Sequence, residues 1–104
     1  MEIPTFMRSP LQRDPAGLDV AMVGVPYVDG LDPVYAPGTG TPEIGGLTVM
    51  QGLEIIRGCR GLDIVGCDLV EVAPPYDVSG NTALTAANLL FEMLCVLPGV
   101  TYRD

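Results

Sequence analysis

Residues 18–25 (LDVAMVGV) are apolar almost without interruption, and residues 62–72 (LDIVGCDLVEV) form a second, largely apolar run. A strand that meets water on one face alternates apolar with polar, whereas a strand covered on both faces does not. Both runs therefore read as strands of a parallel sheet. Parallel strands need crossover connections, and the remaining segments supply them. Thr48 and Gln51 stand at capping-box spacing ahead of Leu53, Ile55 and Ile56, and Gly58 offers a stop, which predicts a helix over 49–57. Residues 82–97 are apolar almost all round and give way to Pro98 and Gly99, which predicts a second helix made to be covered on several sides. The order is strand, long loop, helix, strand, loop, helix, an α/β arrangement with right-handed crossovers. Two parallel strands cannot cover their own faces, so the chain reads as part of a larger sheet.

The connections are unusual in length. Residues 26–47 hold four prolines and five glycines and can be neither helix nor long strand. Loops this long in a compact domain tend to be functional. A second Pro/Gly loop, APPYDVSGN, follows the second apolar run, and residues 1–17, with three prolines and two arginines, read as an extended arm lying over the surface.

At 104 residues there is room for one small domain, and a hydrophobic fraction of 48% excludes a disordered, highly charged segment. Either the core is dense or apolar surface is left over. The net charge of -8 repels phosphate backbones and anionic membrane surfaces, so neither nucleic acid nor membrane is expected as a partner. A basic metabolite or a metal cation suits this field better, although an acidic balance is also ordinary for a soluble cytoplasmic protein, and the cytoplasm is the expected location. The N-terminus lacks a basic start followed by an apolar run, and the longest apolar stretch, 83–97, is too short to span a bilayer and carries Asn88 and Glu92. Cys59, Cys67 and Cys95 are an odd number without CxxC spacing and read as reduced, buried small hydrophobes. Histidine is absent altogether. That removes Ser/His and Cys/His nucleophile pairs, an imidazole base and imidazole metal ligands, so catalysis would have to run on carboxylates.

In open α/β sheets ligands bind beyond the carboxyl ends of the strands, and both Pro/Gly loops leave from such ends. Glu71 closes the second apolar run. A carboxylate there is either satisfied by backbone donors of a loop or kept to hold a cationic ligand. Asp29 and Asp32 follow the first run at i and i+3, a spacing open to hard divalent ions but equally to Asx turns ahead of Gly30 and Pro33. Glu43 reads as a surface charge, and GTGTP lacks the lysine and strand-to-helix context of a phosphate loop.

Longer motifs are more specific. VDGLDPVYAPGTGTPEIGGLT (28–48) and LDIVGCDLVEVAPPYDVSGNTALTAANLLFE (62–92) resemble the C-terminal part of the ureohydrolase family, nearer to its agmatinase and guanidinobutyrase branch than to arginase. IPTFMRSP and GLDVAMVGVPY resemble the N-terminal arm and first strand of the same family. The resemblance implies a fragment of a three-layer αβα parallel-sheet fold, a single partial domain in which 1–27 supply the arm and first strand and 28–104 the C-terminal part.

The family implied uses a pair of manganese ions to activate a hydroxide that attacks a guanidinium carbon, releasing urea and an amine. Its substrates include agmatine and 4-guanidinobutyrate. Two-metal chemistry needs several fixed ligands. The family's Gly-Gly-Asp-His and Asp-Ala-His-x-Asp segments have no counterpart here, and of its late Asp-x-Asp only the second acid is matched, as Asp29, with Tyr27 in place of the first. Glu71 matches the acid that binds the substrate guanidinium. On this resemblance the chain is expected to be a truncated or spliced amidinohydrolase of little activity. The alternative is a non-catalytic partner of a full-length ureohydrolase oligomer, homo- or hetero-oligomeric through unpaired sheet edges.

Overall fold

The computed structural model describes residues 30–101. The expected arm, the first expected strand at 18–25, and Asp29 lie outside the described residues.

Helix α1, Val49–Gly58, begins where the capping box places it. The Gln51 N–H donates to Thr48 Oγ1 at 3.1 Å, and Gln51 Oε1 accepts from the Thr48 N–H at 2.9 Å. Two amides that the first helical turn would leave unpaired are thus satisfied reciprocally. Helix α2, Asn81–Cys95, starts one residue before and stops two residues short of the expected span. It follows a single 3-10 turn, Pro74–Tyr76. Gly80, at the α2 N-cap with φ +76, has no side chain with which to cap. The cap comes from Asp77, whose Oδ1 accepts from the Thr82 N–H at 3.1 Å and whose Oδ2 accepts from the Ala83 N–H at 2.9 Å.

The two helices pack on each other, and Leu53, Ala86, Leu89 and Val96 form the buried apolar core. Leu31 reaches this seam from the loop: a Cβ placed on Gly52 would lie 3.3 Å from Leu31 Cδ2 and 3.8 Å from Leu89 Cδ2. Across the helix pair, the Arg57 guanidinium grips the Glu92 carboxylate with both arms, Nη2 to Oε1 at 2.7 Å and Nε to Oε2 at 2.9 Å. That bond holds Glu92 below the usual carboxylate range and raises Arg57, chiefly through the paired hydrogen bonds.

The second expected strand does not form. Residues 62–72 have no ladder, and Val65 and Val70 are exposed. Among the described residues, strand pairing is limited to one parallel bridge, Leu31 with Leu47. An apolar run becomes a strand only where neighbouring strands satisfy its amides and carbonyls, and the described residues supply none beside 62–72. Among the described residues the three-layer αβα arrangement that the resemblance implies is not formed; they make two helices and loops. Cys67, in the run 62–72, is exposed, and Cys59 and Cys95 are only half-buried, none of the three in a disulfide, so they are not the buried hydrophobes expected. Leu84, Phe91 and Leu94 are also exposed, so the apolar circumference of α2 is covered on the α1 side but not all round.

Candidate functional site

The loop of residues 30–47 is closed at its neck by Asp32. Its Oδ1 accepts from the Val34 N–H at 2.9 Å, the Asx turn foreseen as one reading of this acid. Its Oδ2 accepts from the amides of Gly45 at 3.0 Å and Gly46 at 3.2 Å, on the far side of the loop. The Val34 amide does most to hold the Asp32 carboxyl below the usual range, partial desolvation opposes it, and the Gly45 and Gly46 amides add to it. The neck is also closed by backbone bonds, Asp32 N–H to the Leu47 carbonyl and Leu47 N–H to the Gly30 carbonyl. A Cβ at Gly46 would fall 2.3 Å from the Gly30 carbonyl oxygen, so only glycine permits this approach. Asp32 is thus occupied in building the loop and not free to hold an ion.

The middle of the same loop is fixed at Gly38. Its N–H donates to Thr82 Oγ1 at 2.8 Å, and its carbonyl accepts from the Ala73 N–H at 2.8 Å. Gly38 is buried, and Thr82 is 5% exposed, the one buried polar side chain among the described residues. The Thr82 amide in turn donates to the Asp77 carboxylate. A relay therefore runs from the Gly38 amide to the Thr82 hydroxyl and from the Thr82 amide to Asp77. The Ala83 amide does most to lower Asp77, desolvation opposes it, and the Thr82 amide and hydroxyl and the Gly80 amide add to it. Sequence reasoning missed this relay. Its signal was a glycine at the helix start, which cannot cap, with an aspartate three residues earlier that can.

Glu71 lies two residues before Ala73, at the start of the second Pro/Gly loop. It is exposed, and its φ of +72 makes it the one described non-glycine residue in the left-handed region. Such a backbone costs on the order of 1 kcal/mol or more and persists where the surroundings hold it. Among the described residues no hydrogen bond or ion pair engages its carboxylate, so of the two roles open from sequence, satisfaction by loop donors is not what is found. Two surface hollows, of about 360 and about 500 Å³, lie instead along Arg60 and Cys95 and toward the ends of the helices. Glu71 lines neither, and the Arg57 guanidinium beside the larger one is already paired with Glu92.

Among the described residues no three His, Cys, Asp or Glu side chains converge to hold a metal ion. With Asp29 outside them and histidine absent from the chain, the donors described do not fit the metal pair that the resemblance implies. No chemical step is derived through it. Nor is any helix among the described residues long and apolar enough to cross a membrane.

The geometry can be set beside known proteins. The model of the Arginase family matches residues 19–95. The mitochondrial agmatinase of Gallus gallus is 86% identical over 73 residues, 70% of this chain and 22% of that protein. The guanidinobutyrase of Pseudomonas aeruginosa is 74% identical over 76 residues, 73% of this chain and 24% of that protein. Among solved structures, a hypothetical agmatinase from Burkholderia thailandensis superposes with a TM-score of 0.62 at 52% identity, over 66% of this chain and 22% of that one. The proclavaminate amidino hydrolase of Streptomyces clavuligerus gives 0.61 at 43% identity, over 64% and 23%. The chain spans less than a quarter of the length of each of these four proteins.

Proposed function

Because the chain belongs to the arginase family, we propose that it carries the guanidinium-recognising portion of an agmatinase-type amidinohydrolase, with little hydrolytic activity of its own. The reaction of the whole enzyme is hydrolysis of a guanidino compound to an amine and urea, with agmatine or 4-guanidinobutyrate as the class of substrate. Relatives named agmatinase and guanidinobutyrase support this reading. One observation of this chain carries it: the exposed Glu71 carboxylate, unpaired among the described residues, on a left-handed backbone. A planar guanidinium presents two parallel N–H donors, which a free carboxylate accepts as a fork. The 3-10 turn after Glu71 and the Gly38 tie hold this loop.

Manganese is the cofactor that the resemblance brings, and Asp29 is the acid that would contribute to binding it. One acid without histidine is a poor cage, because each lost ligand and its supporting shell lower metal affinity. The central metal-binding portion of the family is skipped between Tyr27 and Val28, as in a spliced or truncated form. To test the reading, the purified chain is incubated with manganese and agmatine or 4-guanidinobutyrate, urea is assayed, and binding of the guanidino compound is followed by NMR. Binding that Glu71→Gln removes, with urea at background, is expected. Turnover near that of a full-length relative would refute the claim of little activity, and binding indifferent to Glu71→Gln would refute the role of Glu71.

A second reading rests on Leu84, Phe91 and Leu94, exposed along α2 at 70%, 62% and 59%. They suit a non-catalytic partner that associates with a full-length ureohydrolase subunit. Failure to co-elute with such a subunit after co-expression would count against it.

A further inference from the structure

We infer that Thr82 is a positioning residue that sets the Glu71 loop against the loop following Asp29 in sequence, acting through Gly38. The inference rests on the reading of Glu71 as a guanidinium ligand. Gly38 is held at both of its polar groups, its amide by Thr82 Oγ1 and its carbonyl by the Ala73 amide, each at 2.8 Å. Ala73 is two residues from Glu71, so Gly38 joins the helix to the carboxylate-bearing loop.

The Thr82 hydroxyl is not needed to cap its own helix, since Asp77 already takes the Thr82 and Ala83 amides. It reaches 44 residues back along the chain instead. The Thr82 amide, held by Asp77 Oδ1 at 3.1 Å, fixes the residue that carries this hydroxyl. There is no slack at this junction. A Cβ on Gly38 would lie 2.6 Å from Asp77 Cβ and 2.9 Å from Thr82 Cβ. Loss of the hydroxyl frees Gly38, and a freed Gly38 no longer holds Ala73. Glu71, on a strained backbone two residues away, then relaxes.

The test is amide hydrogen exchange on the full chain, with 4-guanidinobutyrate titration by NMR beside it. In the wild-type chain the Gly38 and Ala73 amides should open together, with the same protection and the same dependence on denaturant. Unequal opening would overturn the inference, and this arm needs no variant to fold. Thr82→Val should speed exchange at both Gly38 and Ala73 by about tenfold, as for loss of one hydrogen bond, with Leu53 and Leu89 amides unchanged. Thr82→Ser should restore both. Faster exchange at Gly38 alone would reduce Thr82 to a local contact and sink the idea. In the titration, Thr82→Val should weaken 4-guanidinobutyrate by about tenfold and Thr82→Ser recover it, whereas unaltered affinity in Thr82→Val would overturn the positioning role. If the wild-type chain does not respond, or Glu71→Gln responds equally, the Glu71 reading fails and the exchange result alone decides the tie.

Discussion

The Gly38 amide and the Thr82 hydroxyl meet at 2.8 Å although 44 residues separate them in sequence, and the contact leaves no room for a methyl group. Gly38→Ala should therefore overpack the junction, costing about 1–3 kcal/mol. Denaturant unfolding of the variant beside wild type measures it; an unchanged midpoint would mean that the neighbouring Asp77 and Thr82 side chains yield easily.

Three carboxylates, Asp32, Asp77 and Glu92, sit below their ordinary range in the folded chain. A depressed folded pKa means that the unfolded chain binds protons first as pH falls. The stability these groups contribute is complete above the unfolded value, about 4, and is lost as pH drops through the lower folded values. Thermal melts should be flat in this respect from neutrality to about pH 5 and decline below about pH 4. Asp77→Asn should lessen the decline; an identical acid limb in that variant would remove Asp77 from the account.

Leu53, 7% exposed, is the residue of α1 that enters the core. Leu53→Ala should cost about 2–5 kcal/mol, comparable with the whole stability of a small domain. Circular dichroism is expected to show its cooperative melt lost or shifted far down. A melt within a few degrees of wild type would place the core elsewhere.

Arg57 and Glu92 make a well-formed fork, but the Arg57 side chain is 53% exposed. Water screens such a pair, so its contribution is modest. A double-mutant cycle with Arg57→Ala and Glu92→Gln should give a small coupling that shrinks toward zero in about 1 M salt. Coupling that persists in salt would indicate a dry contact.

How much of this was legible in the sequence divides by the range of the interaction. Thr48 and Gln51 satisfy each other within four residues, and α1 begins where they place it and ends one residue beyond the expected position. The strand over 62–72 was read from burial, a property that belongs to whatever packs against the run as much as to its own residues. Val65, at 84% exposed, shows the consequence when no neighbouring strand is described. Asp32 was foreseen as an Asx-turn former but not as the partner of Gly45 and Gly46, because thirteen and fourteen residues separate them. The family resemblance, carried by contiguous motifs, was fully legible.

Asp32 clasps one end of the long loop and Gly38 its middle, with Glu43 exposed between Gly38 and the far clasp at Gly45. A single proteolytic cut after Glu43 would therefore separate two polypeptides still stitched on both sides of the nick. The severed chain should migrate as one particle under native conditions and as two only in detergent.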